Sequence, residues 1–536
     1  MGIYTRTGAR RRVTLLLLVA FLFSLTPMAI AGQESTPVSN GVYSGAPDYE
    51  PFRFEETVQI TLFAPVRSRE AGPPDDEWKW PERVLEDLNI EVDVQFASDP
   101  TQYQETLRTR AAANDLPDLF YLGDVNSAPS TTALLAQQGL LGEWPQLFEY
   151  MPTYVRDRNV EELAPIGTID GKHYALVTKN PEPFKGVTAI RGDWLEALGL
   201  EPPTTTEEFL EVAKAFTFED PDGNGQDDTW GFTGAPDFEG YITQLGGFKG
   251  AFGAVAPWQI VDGELVNVAA SDSQRQYLEF LHSLIEAGVV DPNWQSQEIL
   301  DAEANFKGGR IGIVFTDWCL LFCVQGYSEF KGANPEGTWT IIDPPVGPDG
   351  LSAQDGYSDA GPQYGVSQRA IDEGKGEAVA RLLEWINGPG YVPTAFGEEG
   401  LNWEWQDGIR FQYADVETIP YRQLVGWGYI GHPDELRTRY NSVVTYDDGE
   451  VIDVYAVLER CQEYPIEDTT QWAIMPPPPA DSYADYVRTR TEGEFAFLNG
   501  SRSFDEWDAY VESLNTNGLQ QWTDQATERA REAGLL

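Results

Sequence analysis

Nine residues near the middle of the chain, Asp220-Pro221-Asp222-Gly223-Asn224-Gly225-Gln226-Asp227-Asp228, set hard oxygen donors at alternating positions of a segment that has to turn. Asp220, Asp222 and Asn224 fall at positions one, three and five of a calcium-loop pattern. Gly225 stands at six, where the backbone bends sharply, Gln226 offers its main-chain carbonyl at seven, and Asp228 falls at nine. A hard cation that takes six to eight oxygens suits this spacing, so Ca2+ in a static structural role is the expected occupant. Position twelve is Gly231 rather than a bidentate glutamate, so that ligand has to come from elsewhere or from water. The competing reading is an Asp/Gly turn that binds nothing, a composition common in turns.

A second constellation pairs aromatic rings with acids. The apolar run Ile311 to Phe315 reads as a strand whose end delivers Thr316, Asp317 and Trp318. A carboxylate beside a Trp is a sugar platform: the C–H face of a pyranose packs on the ring while hydroxyls donate to the acid. The alternative is Trp318 as ordinary core. Gly246-Gly247-Phe248 and Ala256-Pro257-Trp258 are aromatic loops expected to face a cleft. Acids next to rings also line glycosidase and lyase sites, and Glu398 with Glu399, or Asp227 with Asp228, are candidate pairs. Adjacent residues on an extended segment point apart, however, whereas hydrolysis needs two carboxyls facing each other across roughly 5 to 9.5 Å. Among 86 acidic residues such pairs arise by chance, and binding without catalysis is the expectation. The three cysteines and His173, His282 and His432 lack metal-ligand spacing. Cys319 and Cys323 are four apart and Cys461 is remote, which leaves open whether a pair forms.

The elements that must hold these residues alternate between strand and helix. Val58, Ile60 and Leu62 mark a strand, Trp80 to Leu88 a helix, Glu91 to Phe96 a strand, Tyr103 to Ala113 a helix, and Leu116 to Phe120 a third strand ending in the loop Tyr121 to Asn126. This alternation predicts α/β architecture with parallel sheets, which bind ligands at the carboxyl ends of their strands. Tyr121 and Asp124 stand at such an end. Further on, Trp194, Leu195, Leu198 and Leu200 with Gly199 predict a helix and its left-handed stop, and Pro202-Pro203 forbid continuation. Thr205 and Glu208 then form a capping-box pair before Phe209, Val212, Ala213 and Phe216.

Residues 1–31 have the form of an export signal: Arg10 to Arg12, the apolar run Val13 to Leu25, and Ala29-Ile30-Ala31 as a cleavage site after Ala31. Gly32, not a lipid-modifiable cysteine, follows, so a soluble periplasmic protein is expected. The 536 residues exceed what one core normally covers, and two lobes are expected. The formal net charge of −50 excludes nucleic acid and anionic membrane as partners. The many rings (16 Trp, 24 Tyr, 26 Phe) favour sugars over amino acids or metals as guests.

R-G-D-W-L-E-A-L-G-L from Arg191, followed by P-P-T-T and D-P-D-G-N-G, resembles the family 1 extracellular solute-binding proteins, the capture components of carbohydrate ABC transporters, in their large oligosaccharide- and alginate-binding branch. N-D-L-P-D-L-F-Y-L-G-D at 114–124, G-F-K-G-A-F-G at 247–253, G-R-I-G-I-V-F-T-D-W at 309–318 and F-G-E-E-G at 396–400 agree in order and spacing. The resemblance implies a two-lobe periplasmic binding protein-like fold of type II, with mainly parallel sheets flanked by helices and a cleft between the lobes. It divides the chain into a flexible arm at 32–55, lobe 1 at 56–180, lobe 2 at 181–355, a lobe 1 return segment at 356–470 and C-terminal helices at 471–536 closing lobe 2. It implies Tyr121 and Asp124 as sugar contacts and brings Trp403, Trp405 and Trp427 near the ligand. A monomer serving membrane permease subunits is expected, with a neutral oligosaccharide as the default guest. A sensor or adhesin using the same fold is the alternative.

Overall fold

The computed structural model describes residues 45–65, 78–97, 102–123, 128–179, 186–236, 244–322, 324–354, 360–397, 399, 403–406, 409–412, 443–445, 451–462, 472, 474–476, 478–479 and 481–536. The chain divides into Met1–Asn40 and Gly41–Leu536, and all that follows concerns the second unit. Its main strands are β1 (Val58–Pro65), β2 (Ile90–Ala97), β3 (Leu119–Gly123), β4 (Leu176–Lys179), β5 (Gly186–Arg191), β6 (Ile313–Asp317), β7 (Trp339–Ile342) and β8 (Ala360–Val366).

The first sheet has the order β2-β1-β3-β8-β4. β1 runs parallel to β2 from Val58↔Ile90 to Pro65↔Ala97, and parallel to β3. Its parallel pairing follows from the crossovers. Helix Trp80–Leu88 buries Trp80, Val84 and Leu88, and helix Tyr103–Ala112 buries Tyr103, Leu107 and Ala111. Each is one stripe at a spacing of four, laid on a sheet face. Asn89, left-handed at φ 58°, ends the first helix one residue before β2. Alternation along β1 sends Ile60, Leu62 and Ala64 into a core with Trp144, Leu382 and Trp385, and Phe63 into one with Tyr103, Leu107 and Phe120. Both faces are covered, as a largely parallel sheet requires. β8 lies between β3 and β4 and is antiparallel to both, so four of the five strands share one direction.

The second sheet has the order β6-β5-β7. Here the structure departs from the expected parallel run, since β5 is antiparallel to both neighbours. The long excursions between these strands return the chain from the opposite end, which strand-helix alternation alone does not reveal. One face packs Ile190, Ile313, Phe315 and Ile342 on Trp194, Phe209, Phe216 and the helices Asp272–Glu286, Tyr483–Leu498 and Trp507–Leu514. The other packs Val187, Ala189 and Val314 on Trp318, Leu321 and Leu458.

Two expected boundaries move. The arm expected to be flexible at 32–55 is packed from residue 45 on: Ala46 N–H donates to Asn387 O at 2.8 Å, Phe54 N–H to Leu88 O at 3.0 Å, and the Arg381 guanidinium lies 4.1 Å over the Phe52 ring. Tyr49, Phe52 and Phe54 give this segment the apolar surface a loose arm lacks. Helix Val454–Gln462, grouped by sequence with lobe 1, sends Leu458 and Cys461 into the second sheet's core. Among the described residues no helix is long and apolar enough to cross a membrane.

Candidate functional site

The acidic loop leaves helix Thr206–Phe218, which begins with the Thr205/Glu208 capping box. Asp220, Gly223 and Gly225 all take left-handed backbone, at φ 47°, 68° and 76°. No atom would meet a Cβ at either glycine, so the turn and not crowding selects them. The loop folds on its own side chains. Gly225 N–H donates to Asp220 Oδ2 at 3.1 Å, Gln226 N–H to Asn224 Oδ1 at 2.7 Å, and Asn224 Nδ2 reaches Asp222 Oδ2 at 2.8 Å and Asp228 Oδ1 at 3.1 Å. Partial burial, then contact with Asp220 and the charges of Asp228 and Asp220, hold Asp222 above the usual carboxylate range. Asn224 thus bridges Asp222 and Asp228 within the loop. As the side chains stand, no group of three or more His, Cys, Asp or Glu among the described residues is arranged to hold a metal ion.

The loop's exit explains its missing twelfth ligand. Gly231 passes against the preceding helix, where a Cβ would lie 2.4 Å from Ala213 Cβ and 2.8 Å from Ala213 Cα. Gly231 N–H donates to Thr217 Oγ1 at 3.0 Å, and Ile313 N–H donates to Gly231 O at 2.8 Å. No glutamate fits there, and the loop is riveted to both the helix and β6.

The aromatic candidates separate. Tyr121, near the end of β3, is half-buried, with ring centroids 5.7 Å from Tyr103 and 6.1 Å from Tyr364. Asp317 ends β6 half-buried, and its Oδ1 accepts from Cys319 N–H at 2.9 Å. Trp318 is 2% exposed among Val314, Leu321 and Cys461. Strand alternation turns it with Val314 to the inner face, so the ring offers no open platform. Trp258 is likewise 2% exposed, packed edge-on to Trp522 at 5.2 Å with Leu265 and Met475. Trp403 and Trp405 lie on the strand Trp403–Gln406, paired with Ile409–Gln412. Asp124 and Trp427 lie outside the described residues. Cys319 is disulfide-bonded, and Cys461 is a free thiol whose pKa burial lifts to about 12.

Two residues that sequence reasoning passed over stand near these strand ends. Gln363, 1% exposed on β8, faces Gly123 and Val177 where the register slips. Gln354 is 3% exposed, its Nε2 2.6 Å from where a Cβ on Gly186 would sit. A lone glutamine that belongs to no repeat or spacing gives no sequence signal.

The arrangement is that of a two-lobe α/β binding protein, one lobe built on each sheet, with the chain leaving the first sheet after β4 and returning as β8. The chain belongs to the bacterial extracellular solute-binding protein family, which it matches over residues 83–389. It is 25% identical over 462 residues to the polygalacturonan/rhamnogalacturonan-binding protein YtcQ of Bacillus subtilis, covering 83% of this chain and 86% of that protein. In fold it is similar to an HMO-binding, ABC-transporter-associated solute-binding protein of Bifidobacterium longum infantis (TM-score 0.65, 18% identity, 88% of this chain and 98% of that one). It is also similar to the ABC-transporter substrate-binding protein FusA of Streptococcus pneumoniae, in a structure of an EF-hand mutant in complex with fructo-nystose (TM-score 0.61, 17% identity, 89% and 99%).

Proposed function

We propose that this chain is the extracytoplasmic capture component of an ABC importer: it holds an oligosaccharide between its lobes, closes on it, and presents the closed form to a membrane permease. The observation that carries this reading is the double passage between sheets. β4 ends at Lys179 and β5 begins at Gly186, while β7 ends at Ile342 and β8 re-enters the first sheet at Ala360. The chain passes twice between two separately packed cores, and a ligand touching both lobes draws them together by its differential affinity for the closed form. Sugar binding by YtcQ, FusA and the HMO-binding protein supports a carbohydrate guest. Tyr121 and Asp317, at strand ends of the two sheets, supply the ring and the acid such a guest needs. The role is binding without turnover, and residues 1–31 export the chain to the periplasm.

In the same reading the acidic loop is a structural clip. Asp220, Asp222, Asn224, Asp228 and the Gln226 carbonyl would hold Ca2+, whose charge offsets the crowded carboxylates and fixes the turn between helix and β6. The EF-hand named for FusA supports this.

Mass spectrometry of the small molecule that copurifies from the periplasm, followed by thermal melting with a glycan panel, tests the function. An oligosaccharide at 100 times its Kd stabilises the fold by about 2.7 kcal/mol through mass action. Melting shifts with peptides or amino acids and none with glycans would refute it.

A further inference from the structure

We propose that Asn224 is a self-modifying site: groups of its own loop convert its side-chain amide, through a succinimide formed with Gly225, into aspartate and isoaspartate.

An asparagine followed by glycine cyclises readily, because glycine has no side chain to screen its nitrogen from the preceding carboxamide. Four Asn–Gly pairs stand among the described residues, at 224–225, 387–388, 499–500 and 517–518. Asn387 is fully buried, and its Nδ2 donates to Thr153 Oγ1 at 3.0 Å and Asp157 Oδ2 at 2.9 Å. Asn517 is half-buried among the C-terminal helices, and its Nδ2 donates to Ser513 O at 2.8 Å. The other two are exposed and share a local shape. Gln226 N–H donates to Asn224 Oδ1 at 2.7 Å and Ser501 N–H to Asn499 Oδ1 at 3.0 Å, while Gly225 and Gly500 take left-handed backbone at φ 76° and 73°. Each ring closed by such a bond contains the asparagine Cγ and the glycine nitrogen, the atoms that must join.

One difference separates them. Gly500 N–H donates to Phe497 O at 3.1 Å, a carbonyl that cannot carry the proton away. Gly225 N–H donates to the Asp220 carboxylate, at 3.1 Å to Oδ2 and 3.3 Å to Oδ1, within the reach of a general base. Asp220 therefore takes the proton as the Gly225 nitrogen attacks Asn224 Cγ. The Gln226 N–H stabilises the charge that develops on Oδ1, as a backbone donor does in an oxyanion hole. The N–Cγ bond forms, the Cγ–Nδ2 bond breaks, and the amide departs as ammonia with a proton drawn from solvent. Water then opens the imide at either carbonyl, giving aspartate or, with the main chain rerouted through Cγ, isoaspartate. Both products change the loop. Aspartate replaces Nδ2, which donates to Asp222 Oδ2 at 2.8 Å and Asp228 Oδ1 at 3.1 Å, by a negative oxygen facing both, and isoaspartate lengthens the main chain of the turn.

The test incubates the folded mature chain at slightly alkaline pH in EDTA, which keeps cations off Asp220. Peptide mass spectrometry and isoaspartyl methyltransferase labelling follow each Asn–Gly pair. Asn224 is expected to lose its amide about tenfold faster than Asn499 or more, with Asn387 and Asn517 slower than both. In the chain unfolded in urea, Asn224 and Asn499 should react alike. Asp220→Asn tolerates the left-handed backbone at φ 47° and still accepts from Gly225 N–H, but takes no proton. It should slow Asn224 about tenfold and leave Asn499 unchanged. Any of three results overturns the proposal: equal rates at Asn224 and Asn499 in the folded wild type, an advantage for Asn224 that persists in urea, or an Asp220→Asn variant that loses the Asn224 amide at the wild-type rate.

Discussion

Replacing Gly231 by alanine probes the joint that ties the acidic loop to the second lobe. The new Cβ would stand 2.4 Å from Ala213 Cβ and 2.8 Å from Ala213 Cα, where ordinary carbon contacts are roughly 3.5 to 4.0 Å. Ala213 has no rotamer to change and its Cα belongs to helix Thr206–Phe218, so the helix or the loop must shift by about 1 Å. Two hydrogen bonds oppose the shift, Gly231 N–H to Thr217 Oγ1 and Ile313 N–H to Gly231 O. Thr217 is itself held, its hydroxyl donating to Ala213 O at 2.8 Å. Overpacking costs about 1 to 3 kcal/mol, and loosening either hydrogen bond adds about 0.5 to 1.5 kcal/mol, so a loss of about 2 to 4 kcal/mol is expected. Urea unfolding followed by circular dichroism measures it, as a lower midpoint at unchanged slope. Gly231→Glu, which restores the glutamate of the twelve-residue pattern, is expected to be worse still and to bind calcium no more tightly. A Gly231→Ala variant within about 0.5 kcal/mol of wild type, or a Gly231→Glu variant that gains calcium affinity without losing stability, would refute the steric reasoning.

Two more tests follow from the charges. Saturating calcium should stabilise the protein against EDTA by about 2.7 kcal/mol at 100 times Kd, and Asp222→Ala should abolish that difference; equal melting in calcium and EDTA contradicts the clip. Burial raises the pKa of Glu494, against the pull of Arg490, the hydrogen bond from Gln274 and the charge of Lys249. Its contribution to stability is therefore full below the ordinary value of 4.5 and is lost as pH rises through the raised folded value. Glu494→Gln should accordingly gain on wild type between about pH 4 and neutrality, and a difference in urea midpoint that does not change with pH speaks against it.

Much of the first lobe was legible because its signals are local. Helix Trp80–Leu88 follows from its stripe and β1 from alternation, and in the second lobe the Thr205/Glu208 box follows from its cap. Strand direction in the second sheet was not legible, because it depends on where long excursions bring the chain back. The acidic loop was visible as composition, while the reason for its glycine at twelve lies in a helix eighteen residues upstream at Ala213. The rings misled for a physical reason: Trp258 and Trp318 look alike in sequence whether they floor a cleft or fill a core, and only alternation along β6 turned Trp318 inward. Gln354 and Gln363 carry no pattern at all, since their burial is a property of packing.

Small-angle X-ray scattering of the mature protein, with and without the oligosaccharide that copurifies with it, addresses the hinged-lobe account most directly. The radius of gyration is expected to fall when the sugar saturates the protein, with the sugar recovered intact. An unchanged scattering profile at saturation, or recovery of the sugar as cleaved product, would contradict it.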